Sequence, residues 1–75
     1  MHEERNLDSL EIGQKATVKS IITKGAMRRR FLDIGLIPGS EVECLMKSPS
    51  GDPAAYLISG AVIAIRHCDA LGVII

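Results

Sequence analysis

Three side chains with metal-binding or nucleophilic chemistry stand in a row at His67-Cys68-Asp69. Consecutive residues rarely aim at one centre. No second His/Cys cluster is present to complete a tetrahedral site, and His2 lies in a polar N-terminal stretch. A Cys/His nucleophile would also need an oriented third group and a pocket, and the sequence supplies neither. Cys44 sits in the apolar register of a strand and reads as core. Arg28-Arg29-Arg30 is the densest charge. Arg28 and Arg29 fit a solvated helix face, with a grip on a phosphate or an acidic partner as the alternative. Arg30 borders an apolar stripe, within reach of Asp33 or Asp52. Gly51-Asp52-Pro53 is a loop, and no phosphate-cradling glycine motif occurs. The sequence therefore assigns no catalytic residue, metal ligand or cofactor.

These residues hang on short strands punctuated by Gly and Pro. Leu7 to Leu10 is a brief apolar-polar alternation. Between Gln14 and Ile22, Ala16 and Val18 alternate with Lys15, Thr17 and Lys19, the period of a half-buried strand. The period then changes. Met27, Phe31 and Ile34 lie at i, i+4 and i+7, one face of a helix of two to three turns. Gly35 stands where a left-handed C-terminal cap is wanted, and Leu36 is placed to fold back on the last turn. Pro38-Gly39 has the makeup of a type II turn. Val42, Cys44 and Met46 form the inner face of the next strand, with Leu45 an exception on its wet face. After a Pro/Gly loop at 48–53, Ala54 to Ile58 and Ala61 to Arg66 make a hairpin about Ser59-Gly60. His67 to Ala70 is a turn or one loose helical turn. Leu71, Val73 and Ile75 share a side of the closing strand.

The pattern is mainly β: a small, partly closed barrel of about five strands, with one short helix inserted after the first long strand. Closure would hide sticky edges. Seventy-five residues give one domain, read as 7–75 after a flexible tail at 1–6. With 47% hydrophobic residues but only one Phe, one Tyr and no Trp, the core is aliphatic. A domain this small has little room for a deep cavity, so a groove or surface patch is expected and an enzyme is not. Nine basic residues balance nine acidic ones, and stacking aromatics are scarce, which argues against nucleic acid. The longest apolar run, Ala61 to Ile65, is too short to span a membrane, and the polar N-terminus is unlike a secretion signal. Two cysteines suit free thiols in a reducing cytoplasm.

The stretch from Arg30 to Val42, RFLDIGLIPGSEV, resembles the signature of the FeoA family, ferrous iron transport protein A. Leu10 to Gln14 with Ala16-Thr17-Val18 is similar to that family's opening strand. Gly51-Asp52-Pro53, Tyr56 and Gly60 resemble its central loop and hairpin, and Ile63-Ala64-Ile65-Arg66 and Ala70 to Ile75 its last strands. Phe31 departs from the usual Leu but keeps its apolar role. The two Cys and the His near the C-terminus lie outside the pattern. The resemblance implies an SH3-like barrel in the bacterial cytoplasm that binds FeoB, a membrane transporter for ferrous iron, and supports or regulates it. Contact with the membrane would then be indirect. The same barrel ends metal-dependent repressors, so a regulatory domain partnering such a protein is an alternative, as is direct metal binding. No residue pattern assigns an oligomeric state.

The non-strand features offer the expected contact surface, because loops on a rigid scaffold carry most binding residues. These are Arg28, Arg29, Leu36, Pro38, Asp52 and Pro53. Gly35, Pro38, Gly39 and Gly60 are expected to shape turns and the helix cap.

Overall fold

The computed structural model describes residues 5–75. A 3-10 turn at Leu7–Ser9 leads into β1 (Lys15–Thr17) and β2 (Ser20–Ile21). Helix α1 (Ala26–Asp33) follows, then β3 (Glu41–Lys47), β4 (Ala54–Ile58), β5 (Ala61–Ile65), the four-residue helix α2 (His67–Ala70) and β6 (Val73–Ile74). The six strands make two antiparallel sheets, one ordered β1-β3-β4-β5 and one pairing β2 with β6. The fold is mainly β, as expected, but the sheet is not closed into a barrel.

The single strand expected over Gln14 to Ile22 is split. The Val18 amide donates to the Ser40 carbonyl and the Lys19 amide to the Ile74 carbonyl, so the chain turns a corner between these two residues. Before the corner it pairs with β3, and after it with β6. No Gly or Pro marks the place, so its alternation reads as continuous. Leu7 to Leu10 likewise forms a 3-10 turn rather than a strand, with Leu7 and Leu10 both buried. Arg5 and Asn6, assigned to the tail, are paired instead: Asn6 bridges Ile74, and the Ile75 amide donates to the Arg5 carbonyl. The remaining tail positions, 1–4, lie outside the described residues. Flanked by Asn6 and β2, β6 has Val73, Ile74 and Ile75 all buried, while Leu71 falls in the preceding turn and is exposed.

In β3 the expected alternation breaks after Cys44. Cys44 faces Tyr56 and Met46 faces Ala55, so two β3 residues oppose one on β4. This bulge takes up Leu45 as the extra residue and turns Met46 outward, leaving it 61% exposed. Val42 and Cys44 remain in the core with Tyr56, Ile58, Phe31, Leu36 and Val73.

Candidate functional site

Helix α1 borders, with β5, an open groove. Phe31 is buried on its inner face, with Met27 and Ile34 packed partly against the core, which is the i, i+4, i+7 stripe of the sequence. Its C-terminus is a Schellman cap. Gly35 takes φ +85°, its amide donates to the Leu32 carbonyl, and the Leu36 amide donates to the Phe31 carbonyl. Leu36 folds back on Phe31 as expected and is 0% exposed. That burial removes Leu36 from the expected contact surface, because it has no area to offer a partner.

The Pro38-Gly39 turn is also as read. The Ser40 amide donates to the Ile37 carbonyl, and Gly39 has φ +94°. The Gly39 amide donates to the Val18 carbonyl, so this turn holds the corner between β1 and β2. Ser40 Oγ accepts from the Ile37 amide and donates to the Gly35 carbonyl, joining the turn to the helix cap. Pro38 itself is exposed. At the β4–β5 hairpin, Ser59 and Gly60 both have positive φ, at 51° and 82°. That geometry is a type I′ turn.

The arginines separate. Arg28 sends its guanidinium to the Ile21 carbonyl at 3.0 Å, tying α1 to β2, whereas Arg29 is exposed on the outer helix face. Arg30 pairs with neither Asp33 nor Asp52. His67 Nδ1 lies 2.7 Å from Asp8 Oδ2, within hydrogen-bond distance. Asp52 is exposed, as is Pro53 across a cis peptide bond, and the Asp52 carboxylate accepts the His67 amide at 2.9 Å. It thereby satisfies a first-turn amide of α2. His67 thus ties α2 to both the Asp8 and the Asp52 segments. No set of three or more His, Cys, Asp or Glu side chains converges on one point among the described residues.

Two buried groups show what the core does to titration. Burial pushes the Cys44 thiol above its ordinary value, with Lys47 offsetting part of the effect. Cys44 is therefore a protonated, inert core residue at neutral pH. Burial, with smaller contributions from Cys44 and Asp8, pushes the Tyr56 phenol up to about 12. Its hydroxyl donates a long bond of 3.4 Å to the Leu7 carbonyl.

An open groove of about 360 Å³ lies between α1 and β5. Met27, Phe31 and Ile34 form the helix wall, Ile63 and Ile65 the strand wall, and Arg30, Arg66 and Asp69 supply the charge. The groove brings together residues far apart in the chain. The stripe on α1 and the apolar run of β5 were each legible, but nothing local showed that they would face one another.

The sequence pattern of the FeoA domain matches residues 5–75. The chain belongs to the FeoA domain family. Consistent with that, it superposes on the FeoA protein of Chlorobium tepidum with a TM-score of 0.87 at 33% identity, covering 92% of this chain and 66% of that one. The zinc-complexed FeoA of Stenotrophomonas maltophilia, described as an SH3 domain protein, aligns with a TM-score of 0.83 at 26% identity, over 95% and 89% of the two chains. A fusion of Fe(2+) transport protein A with the Fe(2+) transporter FeoB in Porphyromonas gingivalis is 28% identical over 64 residues. This FeoA chain spans 85% of its own length in that match but only 8% of the fusion protein. A manganese-dependent transcriptional repressor shares the fold at 23% identity with a TM-score of 0.80, over 96% of this chain and 40% of that one. The fold is thus SH3-like, and the family is linked to ferrous iron transport. No described helix is long and apolar enough to cross a membrane.

Proposed function

We propose that this FeoA chain is an accessory protein of ferrous iron uptake that acts at the cytoplasmic face by binding a FeoB-type transporter and supporting or regulating it. The observation that carries the reading is the Porphyromonas gingivalis protein, in which a related domain and FeoB share one polypeptide. Fusion holds two modules at an effective concentration that makes even a weak contact persistent. The chain's own architecture suits such a role. A small aliphatic core supports an open groove and exposed turns.

The contact surface comprises the outer face of α1 with Arg29, the exposed Pro38 turn and the Asp52-Pro53 loop. Arg28 contributes less than Arg29, because its guanidinium is already held by the Ile21 carbonyl. The test is a titration of labelled protein with the cytoplasmic region of a FeoB-type transporter, and with membranes containing the whole transporter. Saturable binding to either is expected, and its absence from both refutes the reading.

A further inference from the structure

Strand β5 ends the four-stranded sheet, and its outer edge meets no other strand among the described residues. It leaves the two-residue Ser59-Gly60 turn with Ala61 opposite Ile58. In such a hairpin the closing pair exchanges both hydrogen bonds, and bonded and non-bonded pairs then alternate. Ala61, Ile63 and Ile65 therefore bond to β4, while the N–H and C=O groups of Val62 and Ala64 point outward. No further backbone bond engages them among the described residues.

Exposed edges are normally blunted by a charge, a proline or a bulge. Ala61–Ile65 has none of these: all five residues are apolar, the pairing with β4 is regular, and Val62 is 63% exposed. The groove along this edge has apolar walls from Met27, Phe31, Ile34 and Ile63. Its charge is two arginines, Arg30 and Arg66, against one aspartate, Asp69.

We propose that the outer edge of β5 and the α1–β5 groove form an acceptor for an extended segment of a protein partner, which adds as a further strand. Main-chain bonds to Val62 and Ala64 would hold it, alternate apolar side chains would enter the groove, and a carboxylate would meet Arg30 and Arg66. A second copy of this chain is a poor occupant by charge. Its own β5, Ala61–Ile65, carries no acid to meet Arg30 and Arg66. The proposal rests on the transporter reading and adds, beside the turn and loop surface, a second region that holds that partner.

The test uses membranes containing the FeoB-type transporter, with two variants and one direct measurement. Ala64→Pro removes an outward amide without breaking a β4–β5 bond, and proline is tolerated at such edge positions. Arg30→Glu reverses a groove charge. Each is expected to weaken binding at least tenfold. Hydrogen exchange on the unmodified chain is expected to slow at the Val62 and Ala64 amides when the transporter is added, and this readout stands even if Ala64→Pro fails to fold. Native binding undiminished in both variants, with unchanged exchange at these amides, overturns the edge proposal and leaves the transporter reading intact. No native binding overturns both. Protection of the two amides that rises with concentration of the chain alone makes a second copy the occupant and overturns the proposal.

Discussion

Replacing Gly35 with alanine strains the join between the end of α1 and the β4–β5 hairpin in two separable ways. At φ +85° an L side chain costs about 1–2 kcal/mol in the backbone alone. The added Cβ would also lie 2.6 Å from Ser59 Oγ and 3.2 Å from Ser59 Cβ. The hydroxyl can rotate away, but the Cβ cannot move without the tight turn that carries it. Overpacking of this kind costs roughly 1–3 kcal/mol, for a total of about 2–5 kcal/mol. Gly39 supplies the control, because its φ is +94° and nothing lies within 4 Å of its Cβ position. Gly39→Ala should therefore cost only the backbone share of about 1–2 kcal/mol. Urea denaturation followed by circular dichroism measures both variants. In a Ser59→Gly background the contact share should vanish, so a double-mutant cycle isolates about 1–3 kcal/mol of coupling. For a domain of this size each kcal/mol moves Tm by about 4–8 °C, so thermal scans should rank the variants in the same order. A cycle that closes within about 0.5 kcal/mol, or a Gly35→Ala cost no larger than that of Gly39→Ala, would refute the claimed contact with Ser59.

Gly72→Ala should cost about 1–3 kcal/mol, since its Cβ would overlap Thr23 Oγ1 and lie 3.2 Å from both the Thr23 Cβ and the Thr23 amide nitrogen. A melting temperature close to the native value would contradict that packing. Tyr56 predicts alkaline sensitivity. Its folded value of about 12 lies above the ordinary value of about 10, so its contribution is complete below pH ~10 and falls away as pH rises toward 12. Roughly 2–3 kcal/mol should be lost over that window, and Tyr56→Phe should remove this part of the slope in pH-dependent urea titrations. Cys68 is exposed and Cys44 buried, so a thiol reagent should label one site in the native protein and two after unfolding. Labelling of both in the native state would show that Cys44 is accessible. Asp52→Ala should loosen the first turn of α2 by about 1–2 kcal/mol, through loss of the bond to the His67 amide. Unchanged exchange at the His67 amide would speak against that bond.

Local features were most legible where one residue type has one physical use. Gly35 closes the helix through a left-handed backbone, Pro38-Gly39 makes its turn, and Ser59-Gly60 makes its hairpin. Each depends on a dihedral available mainly to glycine, or preset by proline, so type and position suffice. The helix stripe of Met27, Phe31 and Ile34 was equally clear, because burial on one face leaves a period in the sequence. The contact residues were less so. In sequence Leu36 fits both the apolar partner of the helix cap and part of a contact surface, and its full burial keeps the first role and leaves no area for the second.

The amino-acid order by itself determined helix α1, the strands β3 to β5, the turns between them, the aliphatic core and the membership in one family, because these rest on periodicity and on a few residues with restricted backbones. The tertiary structure alone decided which strands are neighbours. Strand β2 leaves the partner of β1 at Val18–Lys19 to pair with β6, and Leu45 is taken up as a bulge that turns Met46 outward. Those choices depend on what lies across a gap, and period-two alternation is blind to the partner on either side. The same holds for the groove. Its walls are two ordinary apolar patterns in sequence, and only their placement beside the free edge of β5 makes them a surface that a partner can enter.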